Sequence, residues 1–194
     1  MSSDISDTRT KILDATWKLI EQEGAHGVKM SDIAKAVGIS RQAVYLHFAT
    51  RTELMVATTH YVDEVRGLKQ RLMRYDAATG GVETLEAFVE FWGNYIPEIF
   101  ALAKALLAVR ATDEAAEAAW QDRMNAVRSG CQRAIEALER EGKLAPGWTK
   151  EKAIDFCWTM LSVHNWEQLI IDCRWTTDEY ISRMQSLLKE TLVK

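Results

Sequence analysis

With 194 residues, 47% of them hydrophobic, the chain can bury a core in one large domain or in a small domain joined to a larger one. Its formal net charge of −4 at pH 7 argues against general adhesion to nucleic acid, although phosphate binding depends on local rather than total charge. The apolar runs are too short to span a bilayer and the N-terminus lacks the pattern of a secretory signal, so we expect a cytoplasmic protein with no membrane partner.

Helix-favouring residues dominate the sequence, which has only two prolines and ten glycines. Ala, Leu, Glu, Lys and Arg recur at spacings of three and four, and no strand pattern competes with them. We therefore predict an all-α fold of about nine helices. The first helix is predicted over about 8–23 and is ended by Gly24 and Gly27.

The next two predicted helices are short. The helix over 31–37 is broken by Gly38, and Ser40 can then cap the following helix through its hydroxyl group. The stretch over 29–51 is also basic, with Asp32 as its one acidic residue. Two short helices that meet at a glycine turn, with a supporting helix before them, are what a helix-turn-helix needs to place its second helix in the major groove of DNA.

A long helix is predicted after this pair. Thr50 and Glu53 form a capping box at its start, and the apolar face that follows continues to near Gly80. About 25 helical residues would span about 37 Å, enough to connect a small head to a separate body. We therefore expect a helix-turn-helix domain of residues 1–54 and a helical ligand-binding and dimerisation domain of residues 55–194.

Five further helices are predicted in the body. Pro97 is expected to end one helix and to force a restart over 99–110. A helix over about 112–142 follows, and then a helix over about 150–173 that is apolar nearly all round. The last helix is predicted to begin at a second capping box, over 176–179.

The segment that carries the clearest functional signal is IAKAVGISRQAVYLHF, residues 33–48, followed by Arg51 and by Glu53 with Leu54. It resembles the signature of the tetracycline-repressor (TetR) family, and the resemblance covers about residues 8–54. The resemblance implies a homodimeric transcriptional regulator that binds a double-stranded DNA operator with this helix-turn-helix and a small-molecule inducer with its body.

The outward face of the predicted recognition helix suits base recognition. Val44 and Phe48 lie four residues apart and face the core, so the side chains between and before them point outward. Arg41 can donate to guanine or phosphate, and Gln42 can bridge an adenine edge. Either Ala43 or Leu46 can touch a thymine methyl group.

Further DNA contacts come from the resemblance. It implies phosphate contacts by Tyr45, His47 and Arg51, with Arg51 standing where the family usually has lysine. Lys29 stands where the family usually has a Ser or Thr N-cap, and its side chain is either a phosphate contact or a solvated surface lysine. The candidate DNA-binding residues are Lys29, Ser40, Arg41, Gln42, Ala43, Tyr45, Leu46, His47 and Arg51.

Dimerisation is expected because one short recognition helix makes too few contacts for tight specific binding. The two C-terminal helices are the predicted interface, packed as a four-helix bundle across a two-fold axis. The alternative is that their apolar residues serve only the core of the monomer. The stripes concerned are Tyr180, Ile181, Met184, Leu187, Leu188 and Leu192 on the last helix, and Trp158, Leu161, Val163 and Leu169 on the helix before it.

The body is rich in aromatic side chains, which either form plain core or line a ligand cavity. Polar residues set in apolar helix sequence are the better indication of a ligand site. Arg110 can receive an anionic group, or it pairs with Asp113 three residues on. The candidate ligand-binding residues are Trp92, Tyr95, Phe100, Arg110, Trp120, Trp158, His164 and Asn165.

No enzyme, metal or cofactor site is predicted. Phosphate-binding and nucleophile motifs are missing, and His60 and His164 each have too few potential ligands nearby in sequence for a metal site. We hypothesise a repressor released by a small hydrophobic or aromatic ligand that shifts the long helix over 51–76 and so changes the separation of the two heads. The alternatives are an all-helical enzyme with a coincidental motif, and a DNA-bound architectural protein without an inducer.

Overall fold

The computed structural model describes residues 2–25 and 28–194, with side chains described from residue 7 onward. Helices and turns make up the described residues, apart from one isolated β-bridge between Leu144 and Val193. The all-α prediction is confirmed. Gly27, predicted to help end the first helix, lies outside the described residues, whereas Gly24 follows the helix with a φ of +77°. Among the residues described, no helix has the length and apolar character of a membrane span.

The helices follow one another in a simple order along the chain. They are α1 Ser2–Glu23, α2 Met30–Val37, α3 Arg41–His47, α4 Arg51–Val65, α5 Leu68–Arg71, α6 Met73–Ala77, α7 Gly81–Val109, α8 Glu114–Arg140, α9 Lys150–Met160, α10 Val163–Glu167, a π-helical turn Gln168–Asp172, and α11 Thr177–Leu192.

The chain packs as two compact units. The first contains the described residues up to Gly67 together with Ile99–Arg123, and the second contains Leu68–Glu98 and Met124–Lys194. Both α7 and α8 therefore contribute residues to both units, and the whole of α4 belongs to the first. The functional boundary predicted between residues 54 and 55 stays a prediction.

The long helix predicted after Thr50 is interrupted. It ends at Val65, and Gly67 then adopts a φ of +70°, a left-handed conformation that glycine tolerates and that ends the α-helical hydrogen-bond ladder. The Gly67 N–H donates to the carbonyl of Glu64 at 3.0 Å, which closes the turn. The short helices α5 and α6 follow it. The prediction of one continuous helix over 51–76 was wrong because its apolar residues continue past the break.

Pro97 does not end a helix as predicted, because α7 runs through it from Gly81 to Val109. A proline inside a helix removes one backbone hydrogen bond and costs about 3 kcal/mol. Tyr95 and Ile96 on one side of it, and Leu102 on the other, are buried. Burying side chains of this size contributes about 1.5–3 kcal/mol each, which is enough to keep the helix intact across the proline.

The first unit has its core among α1, α2, α3 and α4. In this unit α1 packs against α2 and α4, and α2 packs against α3. Ile12, Ile20, Ile33, Val44 and Phe48 are all essentially inaccessible to solvent. This core holds α3 by one side only and leaves its other side at the surface.

In the second unit, buried polar tips of aromatic residues bond to backbone carbonyls. The Tyr75 hydroxyl donates to Gly130 at 3.1 Å, and Trp92 Nε1 donates to Leu161 at 2.6 Å. Burial raises the pKa of Tyr75 to about 12. Gly130 lets α7 approach α8 closely, since a Cβ there would lie 2.2 Å from the Phe88 ring.

Candidate nucleic-acid interface

The turn between α2 and α3 is built from backbone groups that its sequence supplies. Gly38 has a φ of +77°, and its N–H donates to the carbonyl of Ala34 at 2.9 Å, as does the N–H of Ile39 at 3.0 Å. The Ser40 hydroxyl then accepts from the N–H of Ala43 at 3.1 Å and caps α3. The predicted glycine turn and serine cap are both confirmed.

The recognition helix α3 has a buried side and an exposed side, as predicted. Val44 and the C-cap residue Phe48 are 0% exposed. Leu46 is 87% exposed and Tyr45 40%, so a large apolar side chain stands free on the outer face. The exposed residues Arg41 and Gln42, with the half-buried Ala43 and His47, complete that face.

Arg41 and Tyr45 are already ordered against each other on the exposed side. They lie four residues apart, Arg41 Nη2 donates to the Tyr45 hydroxyl at 3.3 Å, and the guanidinium carbon lies 5.5 Å from the ring centroid. The pair presents positive charge and a hydroxyl group at the same edge of α3. That chemistry suits a phosphate or a base edge.

Lys29 is the N-cap residue of α2, and its side chain makes no capping hydrogen bond. The Asp32 carboxylate compensates in part, since it accepts from the Lys29 N–H at 3.3 Å. The Lys29 side chain is exposed. The absence of a side-chain cap is therefore confirmed, and both roles considered for this lysine stay open.

Arg51 is the predicted DNA contact whose surroundings differ most from expectation. Nε donates to the Val28 carbonyl at 2.9 Å, Nη2 to the Ala25 carbonyl at 2.8 Å, and Nη1 to Asp113 Oδ1 at 2.6 Å. Each guanidinium nitrogen thus has an acceptor inside the first unit, instead of facing outward toward a phosphate. No sequence pattern indicates this arrangement, because Asp113 lies 62 residues away.

The candidate ligand-binding residues are divided between the two units. In the first unit, Arg110 lies 5.7 Å from the Trp120 ring, and its ion pair is with Glu117 at 3.7 Å rather than with Asp113. Phe100 is in the same unit. The second unit holds Trp92, Tyr95, Trp158, His164 and Asn165.

Within the second unit, two of these residues belong to a buried aromatic cluster. Tyr95 stacks on Phe91 with 5.5 Å between ring centroids, and Trp92 lies 6.5 Å from Tyr95. His164 is exposed, and Trp158 and Asn165 are half-buried. The two Asn165 Nδ2 bonds go to the carbonyls of Thr159 and Met160, at 2.8 and 3.4 Å. Trp92 and Tyr95 are thus buried in the second unit, and the assignment of these five residues to a ligand site stays a prediction.

An open groove of about 450 Å³ lies in the second unit beside the π-helical turn. Asn165 is the one candidate ligand residue on its wall. Sequence periodicity did not indicate this groove, because a π-helical turn shifts side chains out of the α-helical register. Its lining residues are Met160, Asn165, Gln168, Leu169, Asp172, Cys173 and Met184.

Most of the apolar stripe predicted for dimerisation on α11 is buried within the monomer, and the interface between the two C-terminal helices stays a prediction. An amphipathic helix does not reveal from its sequence whether its partner lies in the same chain or in another. Of the six residues in the stripe, Leu187 is the one that stays exposed, at 39%. The other five are buried: Tyr180, Ile181, Met184, Leu188 and Leu192.

Taken together, a capped second helix, a glycine turn and two supporting helices define a helix-turn-helix, a motif that places its second helix in the major groove of DNA. Residues 12–58 match the family described as bacterial regulatory proteins, tetR family. The match covers about a quarter of the chain, and it shows that the N-terminal segment is similar to this family.

Comparison with individual proteins supports the family at the N-terminus and the fold over the whole chain. The chain is 40% identical over 48 residues to the HTH-type transcriptional regulator AcrR of Shigella flexneri, a match that covers 25% of this chain and 22% of that protein. The match therefore spans less than a quarter of that relative's length.

Two solved structures share the fold at low sequence identity. One is native NalD, the secondary repressor of the MexAB-OprM multidrug efflux pump in Pseudomonas aeruginosa, with a TM-score of 0.72, 22% identity and 98% of each chain covered. The other is a transcriptional regulator from Saccharomonospora viridis in complex with choline, with a TM-score of 0.73, 14% identity, and 97% and 99% of the two chains covered. These similarities extend the shared fold to the C-terminal helices.

Proposed function

We propose that the chain is a transcriptional repressor that binds a double-stranded DNA operator as a homodimer and releases it when a small molecule binds. The observation that carries this proposal is the exposed face of α3, whose opposite side is fixed in the core by Val44 and Phe48. In this proposal residues 1–54 bind DNA, residues 55–194 bind ligand and partner, and the protein works in the cytoplasm.

The side chains of α3 divide into two rows with different chemistry. Gln42, Ala43 and Leu46 are offset by one, three and four residues, and they form the row that reads base edges. Arg41 and Tyr45 form the second row and contact phosphates, with Ser40, His47 and Lys29 at its ends. Phosphate contacts fix the register of the helix on DNA, and the first row supplies the sequence preference.

A homodimer follows from the size of this surface. One helix of seven residues reaches only a few base pairs, so tight specific binding needs two heads on two half-sites about 34 Å apart. The operator is then an inverted repeat, because a two-fold symmetric dimer presents the same face to each half-site.

A small-molecule ligand is supported by the fold shared with a regulator crystallised with choline and with the repressor NalD. The proposed ligand is hydrophobic or aromatic, because aromatic side chains dominate the candidate contacts. Ligand release works by favouring a conformation with lower affinity for DNA. The candidate contacts are Trp92, Tyr95, Phe100, Arg110, Trp120, Trp158, His164 and Asn165.

The DNA part is tested by selecting duplexes from a random library with the purified full-length chain. We expect an inverted repeat to be enriched, and Arg41→Ala to weaken binding of that repeat about tenfold, because each subunit loses one phosphate contact. The matched control is Arg140→Ala at the end of α8, an exposed arginine that should leave affinity unchanged. If no duplex is enriched, the proposal is wrong.

The ligand part is tested separately with the selected operator. Hydrophobic and aromatic compounds are screened for those that raise the melting temperature of the protein, as ligands of the native state must. We expect such compounds to weaken operator binding. Compounds that stabilise the protein and leave operator affinity unchanged would contradict ligand-induced release.

A further inference from the structure

The segment between α1 and α2 has buried backbone that needs hydrogen-bond partners. Ala25 is 0% and Val28 is 1% exposed, and the carbonyls of both residues accept from Arg51. A buried carbonyl without a partner costs free energy comparable to that of a broken hydrogen bond. Arg51 therefore fixes the backbone that leads into α2, which is the first helix of the helix-turn-helix.

The third acceptor of Arg51 lies at the start of another helix, in the first unit. Asp113 precedes α8, and its Oδ1 accepts from the backbone N–H groups of Ala115 and Ala116 at 3.0 and 3.2 Å as well as from Arg51. The carboxylate thus caps α8 and pairs with α4 at once. Neither side chain is well exposed, at 26% for Arg51 and 10% for Asp113.

The Asp113 side chain is negatively charged where it pairs with the Arg51 guanidinium. Partial burial raises the pKa of the carboxyl, but the hydrogen bond from Arg51 and those from the Ala116 and Ala115 N–H groups outweigh it, and the net pKa lies below the ordinary value. The carboxylate is consequently ionised at neutral pH. A charge-assisted bond of this kind is shorter and stronger than a neutral one.

Arginine is required for this geometry. Its planar guanidinium donates in three directions at fixed angles, whereas a lysine ammonium at the same place is a single point of charge on a flexible stem. One ammonium cannot replace a fork that bonds to Ala25, Val28 and Asp113 together.

We propose that Arg51 is a positioning residue for DNA binding rather than a phosphate contact, and that its link to Asp113 couples the start of α8 to the affinity of the recognition helix for DNA. The proposal rests on the DNA-binding function proposed above. It assigns to Asp113, far from α3 in sequence, a part in operator binding.

The first test is the dependence of operator affinity on salt concentration. In a homodimer, a substitution that removes one phosphate contact from each subunit reduces the magnitude of the slope of log K against log salt by about 1.8, which is about 0.9 for each contact. For Arg51→Lys we expect affinity to fall about tenfold with the slope unchanged, because the charge is kept while the planar fork is absent. Unchanged affinity in Arg51→Lys, or a reduced slope in Arg51→Gln, would identify a phosphate contact and overturn the proposal.

The second test is Asp113→Asn, for which the two roles predict opposite results. Asparagine still caps a helix, so α8 keeps its cap while the ion pair is removed. We expect affinity to fall about as far as in Arg51→Lys. If Arg51 were a phosphate contact, removal of a competing carboxylate would instead raise affinity.

The double variant completes a double-mutant cycle that measures the coupling between Arg51 and Asp113. Because Arg51 and Asp113 act through one link, Arg51→Lys with Asp113→Asn should bind no more weakly than either single variant. Additive losses would overturn the proposal. Circular dichroism and melting temperature confirm folding, and Asp113→Asn carries the test if Arg51→Lys does not fold. Wild-type protein that selects no duplex would contradict the proposed function instead.

Discussion

The exposure of the Leu46 side chain suggests that this residue contacts a partner molecule. It is 87% exposed on a helix whose neighbouring outward positions are polar or small. In the major groove the apolar feature of a base pair is the thymine C5-methyl group. An isolated exposed leucine is common on protein surfaces, but on the proposed recognition helix we expect Leu46 to contact this methyl group.

Replacing operator thymines one at a time by deoxyuridine, which lacks only the methyl group, tests this contact. We expect one replacement in each half-site to weaken wild-type binding about fourfold, the equivalent of about 0.8 kcal/mol for one buried methyl group. Leu46→Ala should lose this sensitivity, whereas Gln42→Ala should keep it. The contact is excluded if Leu46→Ala responds to the same replacement as strongly as wild type.

Among the helices, the break between α4 and α5 is the feature that most changes how the chain is organised. A continuous helix over 51–76 would have linked the DNA-binding region to the body as one rod. With the break at Gly67, α4 ends inside the first unit and α5 begins the second. The mechanism hypothesised from the sequence, in which a ligand shifts one long helix over 51–76, therefore has no continuous helix on which to act.

The substitution Gly67→Ala tests how strongly the break depends on the left-handed conformation of Gly67. A residue with a Cβ pays about 1 kcal/mol in the left-handed conformation that Gly67 adopts, at a φ of +70°. We expect the free energy of unfolding in urea to fall by about that amount. Gly67→Asn is the matched comparison, since asparagine tolerates the left-handed conformation better than alanine does, and it should lose less stability. Equal stability of Gly67→Ala and wild type would show that the turn accepts another conformation.

The sequence correctly predicted the features that depend on residues close together in the chain. The Gly38 turn, the Ser40 cap and the capping box at Thr176 depend on residues within four positions of each other, and all three are present. The break at Gly67 and the continuity of α7 through Pro97 were missed, because tertiary packing decides both.

Contacts between residues that lie far apart in the chain could not be predicted from the sequence. Arg51 bonds to Asp113 across 62 positions, and no periodic pattern connects them. The α11 stripe shows the same limit, since its spacing predicted burial correctly but not which chain provides the neighbour. For the DNA-binding surface the sequence was sufficient to orient α3, because Val44 and Phe48 alone determine which side faces inward.

At the scale of the whole molecule, we propose that a partner subunit packs on the apolar residues left exposed near the C-terminal end of the second unit. Ile171 is 52% and Leu187 39% exposed, in the π-helical turn and in α11. These two elements contact each other. They lie in the C-terminal region expected to form the dimer, and they are the apolar side chains there that the monomer leaves most accessible among the described residues.

The double variant Ile171→Glu with Leu187→Glu should therefore weaken the dimer, because two charges per subunit would be buried without partners. We expect sedimentation velocity to show monomer at concentrations where wild type is dimeric, together with loss of operator binding. Met73→Glu, at a side chain 67% exposed elsewhere in the second unit, is the control and should stay dimeric. A dimeric double variant would place the interface on another surface.

The bond between Arg51 and Asp113 also bears on how this protein could be rebuilt. Hybrid regulators are made by joining the DNA-binding segment of one protein to the sensing segment of another. Here the first compact unit includes Ile99–Arg123, and the acidic partner of Arg51 comes from that stretch. A graft of the N-terminal helices alone would leave the arginine without its carboxylate, so a working hybrid needs an aspartate supplied at the equivalent helix start.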